Sequence, residues 1–112
     1  MNNELLMITF LKAEEQHQHK NGGGWVANTA FVADSAYVGL DAQVFGYAQV
    51  FGYAQVSGHA QVFGYAQVSG NAYVFGDAQV SGDAQVSGYA RVSGNALVSG
   101  DARVFGNARV YE

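Results

Sequence analysis

The chain has 112 residues, which suits one small domain with a thin core. It contains no cysteine, which excludes disulfides and thiolate chemistry and predicts a cytoplasmic location. The net charge of −4 is mild and dispersed, so the basic surface that nucleic acid or an anionic membrane would need is absent, and we expect neither as a partner.

Residues 1–24 are predicted to form an N-terminal cap followed by a glycine-rich link, HKNGGGW. The apolar run LLMITFL, residues 5–11, is too short to cross a bilayer and lacks the flanks of a signal peptide. Asn3 can cap a helix whose apolar face carries Leu5, Ile8 and Leu11. A strand through LLMITF is the alternative.

A strict six-residue repeat occupies residues 25–112. Valine recurs every six residues from Val26 to Val110, and alanine stands two residues earlier from Ala30 onward. Glycine stands two residues after each valine from Gly46 to Gly106. A fixed period of this kind is typical of a solenoid, in which each unit buries its apolar face only by stacking on its neighbours.

Each unit predicts a short strand, A-x-V, followed by a corner at the glycine. Asn28 and Asp34 hold two early glycine slots and are expected to share its left-handed conformation, whereas Leu40 in the third slot does not fit. Three units close a triangle of 18 residues. The repeat therefore predicts about five stacked triangular coils.

The units A-Q-V-F-G-Y and A-R-V-S-G-N resemble the hexapeptide-repeat family over residues 25–111. The resemblance implies an all-β fold, a left-handed parallel β-helix. One departure concerns the corners, because Phe45 or Ser57, for example, stands between the valine and the glycine. We therefore expect an all-β fold with two segments, a cap and link in residues 1–24 and a β-helix in residues 25–112.

Residues 18 apart are predicted to stack on one face, which forms ladders such as Gln43, Gln61 and Gln79. Aromatic residues are concentrated in residues 25–75, and exposed aromatic surfaces usually mark an interface. Members of the resembled family commonly form trimers, so we expect a homotrimer. The predicted interface comprises Phe45, Tyr47, Phe51, Tyr53, Phe63, Tyr65 and Phe75.

The candidates for chemistry are few. The resemblance raises two activities, an acyltransferase with a catalytic histidine and a carbonic anhydrase with three metal-binding histidines. His59 is the one histidine of the repeat and occupies a corner slot, so we expect no catalytic residue, no cofactor and no metal site. His17 and His19 are expected to lie in a solvated polar segment. Arg91 and Arg109, 18 apart, are expected to balance nearby acids rather than bind phosphate.

These observations favour a non-catalytic binding or assembly module that forms a homo-oligomer through its aromatic half. The alternative is a small inhibitor or adaptor that binds a host macromolecule, because near-identical units suit a phage or mobile-element protein. A degenerate hexapeptide acyltransferase is the third hypothesis.

Overall fold

The computed structural model describes residues 15–112, and in this part of the chain the predicted all-β parallel solenoid is confirmed. Because the A-x-V segments are short, most strands contain only two residues. The strands are β1 (Gln16–Gln18), β2 (Trp25–Ala27), β3 (Phe31–Val32), β4 (Tyr37–Val38), β5 (Gln43–Val44), β6 (Gln49–Val50), β7 (Gln55–Val56), β8 (Gln61–Val62), β9 (Gln67–Val68), β10 (Tyr73–Val74), β11 (Gln79–Val80), β12 (Gln85–Val86), β13 (Arg91–Ser93), β14 (Leu97–Val98), β15 (Arg103–Val104) and β16 (Arg109–Tyr111).

The strands form three sheets, one on each side of a triangular column of about five coils, and all of them except β1 pair in parallel. Sheet 1 has the order β1-β2-β5-β8-β11-β14, sheet 2 the order β3-β6-β9-β12-β15 and sheet 3 the order β4-β7-β10-β13-β16. Each strand pairs with the strand one coil away at a register of 18 residues; Val44, for example, lies opposite Val62. The predicted 18-residue coil is therefore confirmed.

The core is the inward-facing column of valine and alanine side chains. Every valine from Val38 to Val92 and every repeat alanine from Ala36 to Ala90 has no exposed surface. Such burial stabilises the fold by roughly 1.5 kcal/mol per valine, so the stability is spread along the column rather than concentrated at one site.

The corners are tight turns that follow each strand. We name them corner 1, corner 2 and corner 3 after the sheet whose strands they follow. From Gly46 to Gly106 every corner glycine has a φ between 62° and 69°, and in the first of these turns the Ala48 amide donates to the Phe45 carbonyl. A positive φ at the first central position alone is the pattern of a type II′ turn, which glycine adopts without strain.

The three early corners differ from this prediction. No residue other than glycine has a positive φ in residues 15–112, so the left-handed conformation expected for Asn28 and Asp34 was wrong. The turn hydrogen bond still forms; the Ala42 amide, for example, donates to the Gly39 carbonyl at 3.0 Å. Leu40 therefore needs no exceptional backbone, because these turns use ordinary negative φ values.

Hydroxyl groups compensate for the altered geometry of the first coil. From Tyr47 to Tyr89 the residue after each corner glycine donates its amide to the glycine carbonyl of the next coil; Tyr47, for example, donates to Gly64 at 2.8 Å. In the first coil the hydroxyls of Thr29 and Ser35 donate to the carbonyls of Gly46 and Gly52 instead. These side chains thus satisfy carbonyl groups that the different turns would leave without a backbone donor.

The N-terminal end of sheet 1 is covered by β1, which pairs antiparallel with β2. The glycine-rich segment expected to act as a link forms the turn between these strands, in which the His19 amide donates to the Gly24 carbonyl at 2.7 Å. β1 thereby covers the edge of β2, which would otherwise be open to the addition of another strand. The predicted helix or strand through residues 5–11 lies outside the described residues.

The same turn also covers the end of sheet 3. His19 is buried, and its Nε2 donates to the Ala36 carbonyl at 2.8 Å, while the Asn21 side-chain amide donates to the same carbonyl at 3.1 Å. The Val38 amide donates to the Asn21 carbonyl, and the Gly24 amide donates to the Val38 carbonyl. The expectation that His19 is solvated was therefore wrong, because its ring completes the hydrogen bonding of a strand edge.

We expect His19→Phe to destabilise the protein by about 1–2 kcal/mol, because it removes a donor from a buried carbonyl while retaining an aromatic ring. The matched control is His17→Phe, since the His17 side chain is exposed and its ring bonds the Asn28 side chain at 2.6 Å rather than a buried carbonyl. Urea unfolding measures the difference. Hydrogen exchange at the Val38 amide should accelerate in the first variant only, and equal losses in both variants would contradict this role for His19.

The alanines of the last described coil are less buried than those of the coils before it. Ala102 and Ala108 are exposed there, whereas the equivalent alanines of the preceding coils are buried. Within residues 15–112 no helix is long and apolar enough to cross a membrane.

Candidate functional site

Four aromatic residues form two parallel columns at corner 1: Phe45, Phe63, Tyr47 and Tyr65. We call this set the aromatic corner. The two phenylalanine rings stack with centroids 4.8 Å apart and an interplanar angle of 1°. The tyrosine rings stack at 5.3 Å and 10°. The 18-residue register places each ring directly above its counterpart, so the ring spacing follows the strand spacing of the solenoid.

The two columns differ in burial. Phe45 and Phe63 follow their valines directly and are half-buried at the corner. Tyr47 and Tyr65 are 57% and 62% exposed. The tyrosines therefore present apolar rings to solvent, while their hydroxyl groups can remain hydrated; amphipathic rings of this kind are enriched at protein interfaces.

The structure does not place all seven predicted interface residues together. Phe51 and Tyr53 lie at corner 2, on the opposite edge of sheet 2 from the aromatic corner. Phe75 lies at corner 3, on the opposite edge of sheet 1 from the aromatic corner. The seven predicted interface residues are therefore distributed over all three corners. The distribution is readable from the sequence once each residue is assigned to its position in an 18-residue coil.

The predicted glutamine ladders are in register, but they bond unevenly. Gln43 pairs with Gln61, and Gln61 with Gln79, on sheet 1. The Gln61 amide donates to Gln43 Oε1 at 3.3 Å, and Gln43 is buried. In residues 15–112 this is the one hydrogen bond between ladder glutamines, so the ladders contribute less than a continuous amide column would.

His59 lies exposed at corner 3, between the positions of Asp41 and Asp77 in the neighbouring coils. Its backbone amide donates to the Gly76 carbonyl at 2.8 Å, so the residue has a defined structural position. Neither carboxylate forms an ion pair with its ring in the described part of the chain. No group of three histidine, cysteine or acidic residues suited to a metal ion occurs there either.

Arg91 and Arg109 are in register on sheet 3, as predicted. The Arg91 guanidinium lies over the Tyr73 ring, 5.7 Å from its centroid, which is a cation–π distance. Between residues 15 and 112 the one ion pair joins Lys20 and Asp34 at 3.0 Å, so the expected pairing of these arginines with acids is not observed.

Comparison with known families supports the fold. The family described as the YdcK beta solenoid repeat matches residues 66–82 and 90–104. No curated protein and no solved structure matches the chain significantly. The chain is thus similar to a β-solenoid repeat over part of its length, and together with the three-sheet column this shows a β-solenoid repeat protein.

Proposed function

We propose that the protein is a non-catalytic assembly module whose copies pack through the aromatic corner to form a homo-oligomer. The observation that carries this proposal is the pair of exposed, stacked tyrosines, Tyr47 and Tyr65, 5.3 Å apart. A second copy of this chain has coils of the same height, so it presents its rings at the same spacing. The two copies can therefore match ring against ring over the two coils that carry Tyr47 and Tyr65.

The expected oligomer is a trimer of left-handed solenoids, as the resemblance to hexapeptide-repeat proteins implies. Charge limits how far such a contact can extend. Asp83 and Asp101 continue the tyrosine column toward the C-terminal end, so parallel copies would bring like charges together there. The proposed contact therefore centres on Tyr47 and Tyr65, where the column carries no charge.

We expect the double variant Tyr47→Ser, Tyr65→Ser to dissociate the oligomer. Loss of two central aromatic contacts should raise the dissociation constant by about tenfold or more per tyrosine. Light scattering coupled to size exclusion should give three times the 11.9 kDa chain mass for the wild type and a smaller mass for the variant. The matched control is Leu97→Ser with Tyr111→Ser, which removes two exposed apolar side chains from the last coil.

The proposal would be overturned if the wild-type protein were monomeric both at high concentration and after 100-fold dilution. The aromatic corner would then be available to a different macromolecule, as in the inhibitor or adaptor hypothesis. A second variant, Asp83→Asn, tests the arrangement, because it should strengthen a parallel trimer by removing repulsion between the copies. An unchanged association constant would rule out the parallel arrangement.

A further inference from the structure

The side chains that follow the corner glycines form a column at each corner. At corner 2 this column contains a gap, which the stacked pair Tyr47 and Tyr65 at corner 1 lacks. The 18-residue register stacks Tyr53, Asn71 and Tyr89 on three successive coils. Hydrogen bonds at 2.8 Å from Tyr53 to Gly70 and from Asn71 to Gly88 hold these coils together. Both tyrosines are well exposed, at 69% and 64%. The shorter asparagine between them leaves the space of one ring.

The size of this gap follows from the rise of the solenoid. Two coils separate Tyr53 from Tyr89, which is about 9.6 Å. In the same molecule, rings on adjacent coils stack at 4.8 Å and 5.3 Å. One planar ring placed outside Asn71, at the level of its coil, would therefore lie at a stacking distance from both tyrosines and would complete the column.

The gap opens into a groove over sheet 3 with a volume of about 390 Å³. This volume falls within the range of small-molecule sites, about 300–1,000 Å³. The groove is lined by Tyr53, Gln55, Asn71, Tyr73, Tyr89 and Arg91. Its lining contains one cation and no carboxylate, so its electrostatic character favours an anion.

Arg91 is suited to bind that anion. Its guanidinium is positioned by the Tyr73 ring and forms no ion pair within residues 15–112. A planar guanidinium can donate two parallel hydrogen bonds to a phosphate or carboxylate. The Asn71 amide can donate to and accept from the edge of a heteroaromatic ring in the gap.

We propose that this groove binds a planar heteroaromatic ring that carries an anionic group, as in a nucleoside monophosphate. Tyr53 and Tyr89 stack on the two faces of the ring, Asn71 bonds its edge, and Arg91 bonds the anionic group. Two-sided stacking and a charged hydrogen bond act on different parts of the ligand. Both parts are therefore required for full affinity.

The experiment is a titration of the full chain with AMP, followed by NMR shifts of the Asn71 side-chain amide and by calorimetry. We expect a dissociation constant on the order of 1 mM or below. Adenosine, which lacks the anion, and ribose 5-phosphate, which lacks the ring, should each bind about tenfold more weakly. No shift with AMP, or equal binding of AMP and adenosine, would overturn the proposal.

The variant Asn71→Tyr fills the gap with the protein's own ring. It should fold, because tyrosine already occupies the same slot at Tyr47, Tyr53, Tyr65 and Tyr89, and it should reduce AMP affinity at least tenfold. The matched control, Asn95→Tyr, places the same ring in the same slot at corner 3 and should bind AMP as the wild type does. Arg91→Gln should weaken AMP about tenfold and leave adenosine unchanged. Equal AMP binding by Asn71→Tyr and Asn95→Tyr would refute the site.

The groove and the aromatic corner lie at different corners, so their tests are separable. Tyr47→Ser with Tyr65→Ser should change the molecular mass and leave the AMP affinity unaltered. Asn71→Tyr should weaken AMP binding and leave the molecular mass unchanged.

Discussion

Gly82→Ala is expected to destabilise the protein by about 2–4 kcal/mol, whereas Gly100→Ala in the same glycine column costs about 1 kcal/mol. Both glycines have a positive φ, 65° and 62°, so both substitutions incur the conformational penalty. They differ in what a side chain would meet. A Cβ at Gly82 would lie 2.7 Å from the Gly100 amide nitrogen, whereas a Cβ at Gly100 would have nothing within 4 Å.

The extra cost at Gly82 arises because the obstacle is backbone. Asp83 donates its amide to the Gly100 carbonyl at 2.9 Å, so the two coils cannot separate without weakening their hydrogen bonds. Thermal unfolding by circular dichroism should show a fall of roughly 10 °C or more for Gly82→Ala. Asparagine tolerates a positive φ, so Gly82→Asn and Gly100→Asn isolate the steric term. If Gly82→Asn and Gly100→Asn lowered the stability equally, contact between the stacked coils would not be the cause of the extra cost at Gly82.

Ala66→Leu is expected to cost about 2–3 kcal/mol through overpacking. Ala66 has no exposed surface, and the equivalent alanines one coil below and above, Ala48 and Ala84, are also fully buried. The inward column contains little but valine and alanine, so no long, flexible side chain is present to move aside. A leucine must therefore distort the coil that contains it.

The control for this substitution is Ala108→Leu, because Ala108 occupies the same position of the six-residue repeat in the last described coil and is exposed. We expect a change within about 0.5 kcal/mol there. Urea unfolding of both variants, with the slope compared as well as the midpoint, measures the difference. If Ala66→Leu unfolded at the wild-type midpoint, the interior would have to contain unfilled space, contrary to the packing described above.

The sequence was informative about the repeat because each residue type is constrained there by one local requirement. Valine and alanine two residues apart face the same side of a strand, and glycine marks a corner with a positive φ. The 18-residue register then assigns residues such as Tyr47 and Tyr65 to one column. The same reasoning could have found the groove, because Tyr53, Asn71 and Tyr89 are also 18 apart.

The sequence was less informative where the chain departs from the repeat. Asn28 and Asp34 occupy glycine slots but do not adopt a positive φ. The Thr29 and Ser35 hydroxyls supply the donors that these turns do not. His19 has no repeat partner, and only its position beside the Ala36 carbonyl explains its burial.

The sequence by itself thus determined the coil: its period, its inward and outward residues and the ladder to which each side chain belongs. These properties depend on neighbours six or 18 residues away, and an unbroken repeat makes them the same in every coil. The tertiary structure alone decided how the N-terminal strand covers the column and that the His19 ring is buried against the Ala36 carbonyl. Those outcomes depend on contacts between segments that share no period, and no spacing in the sequence records them.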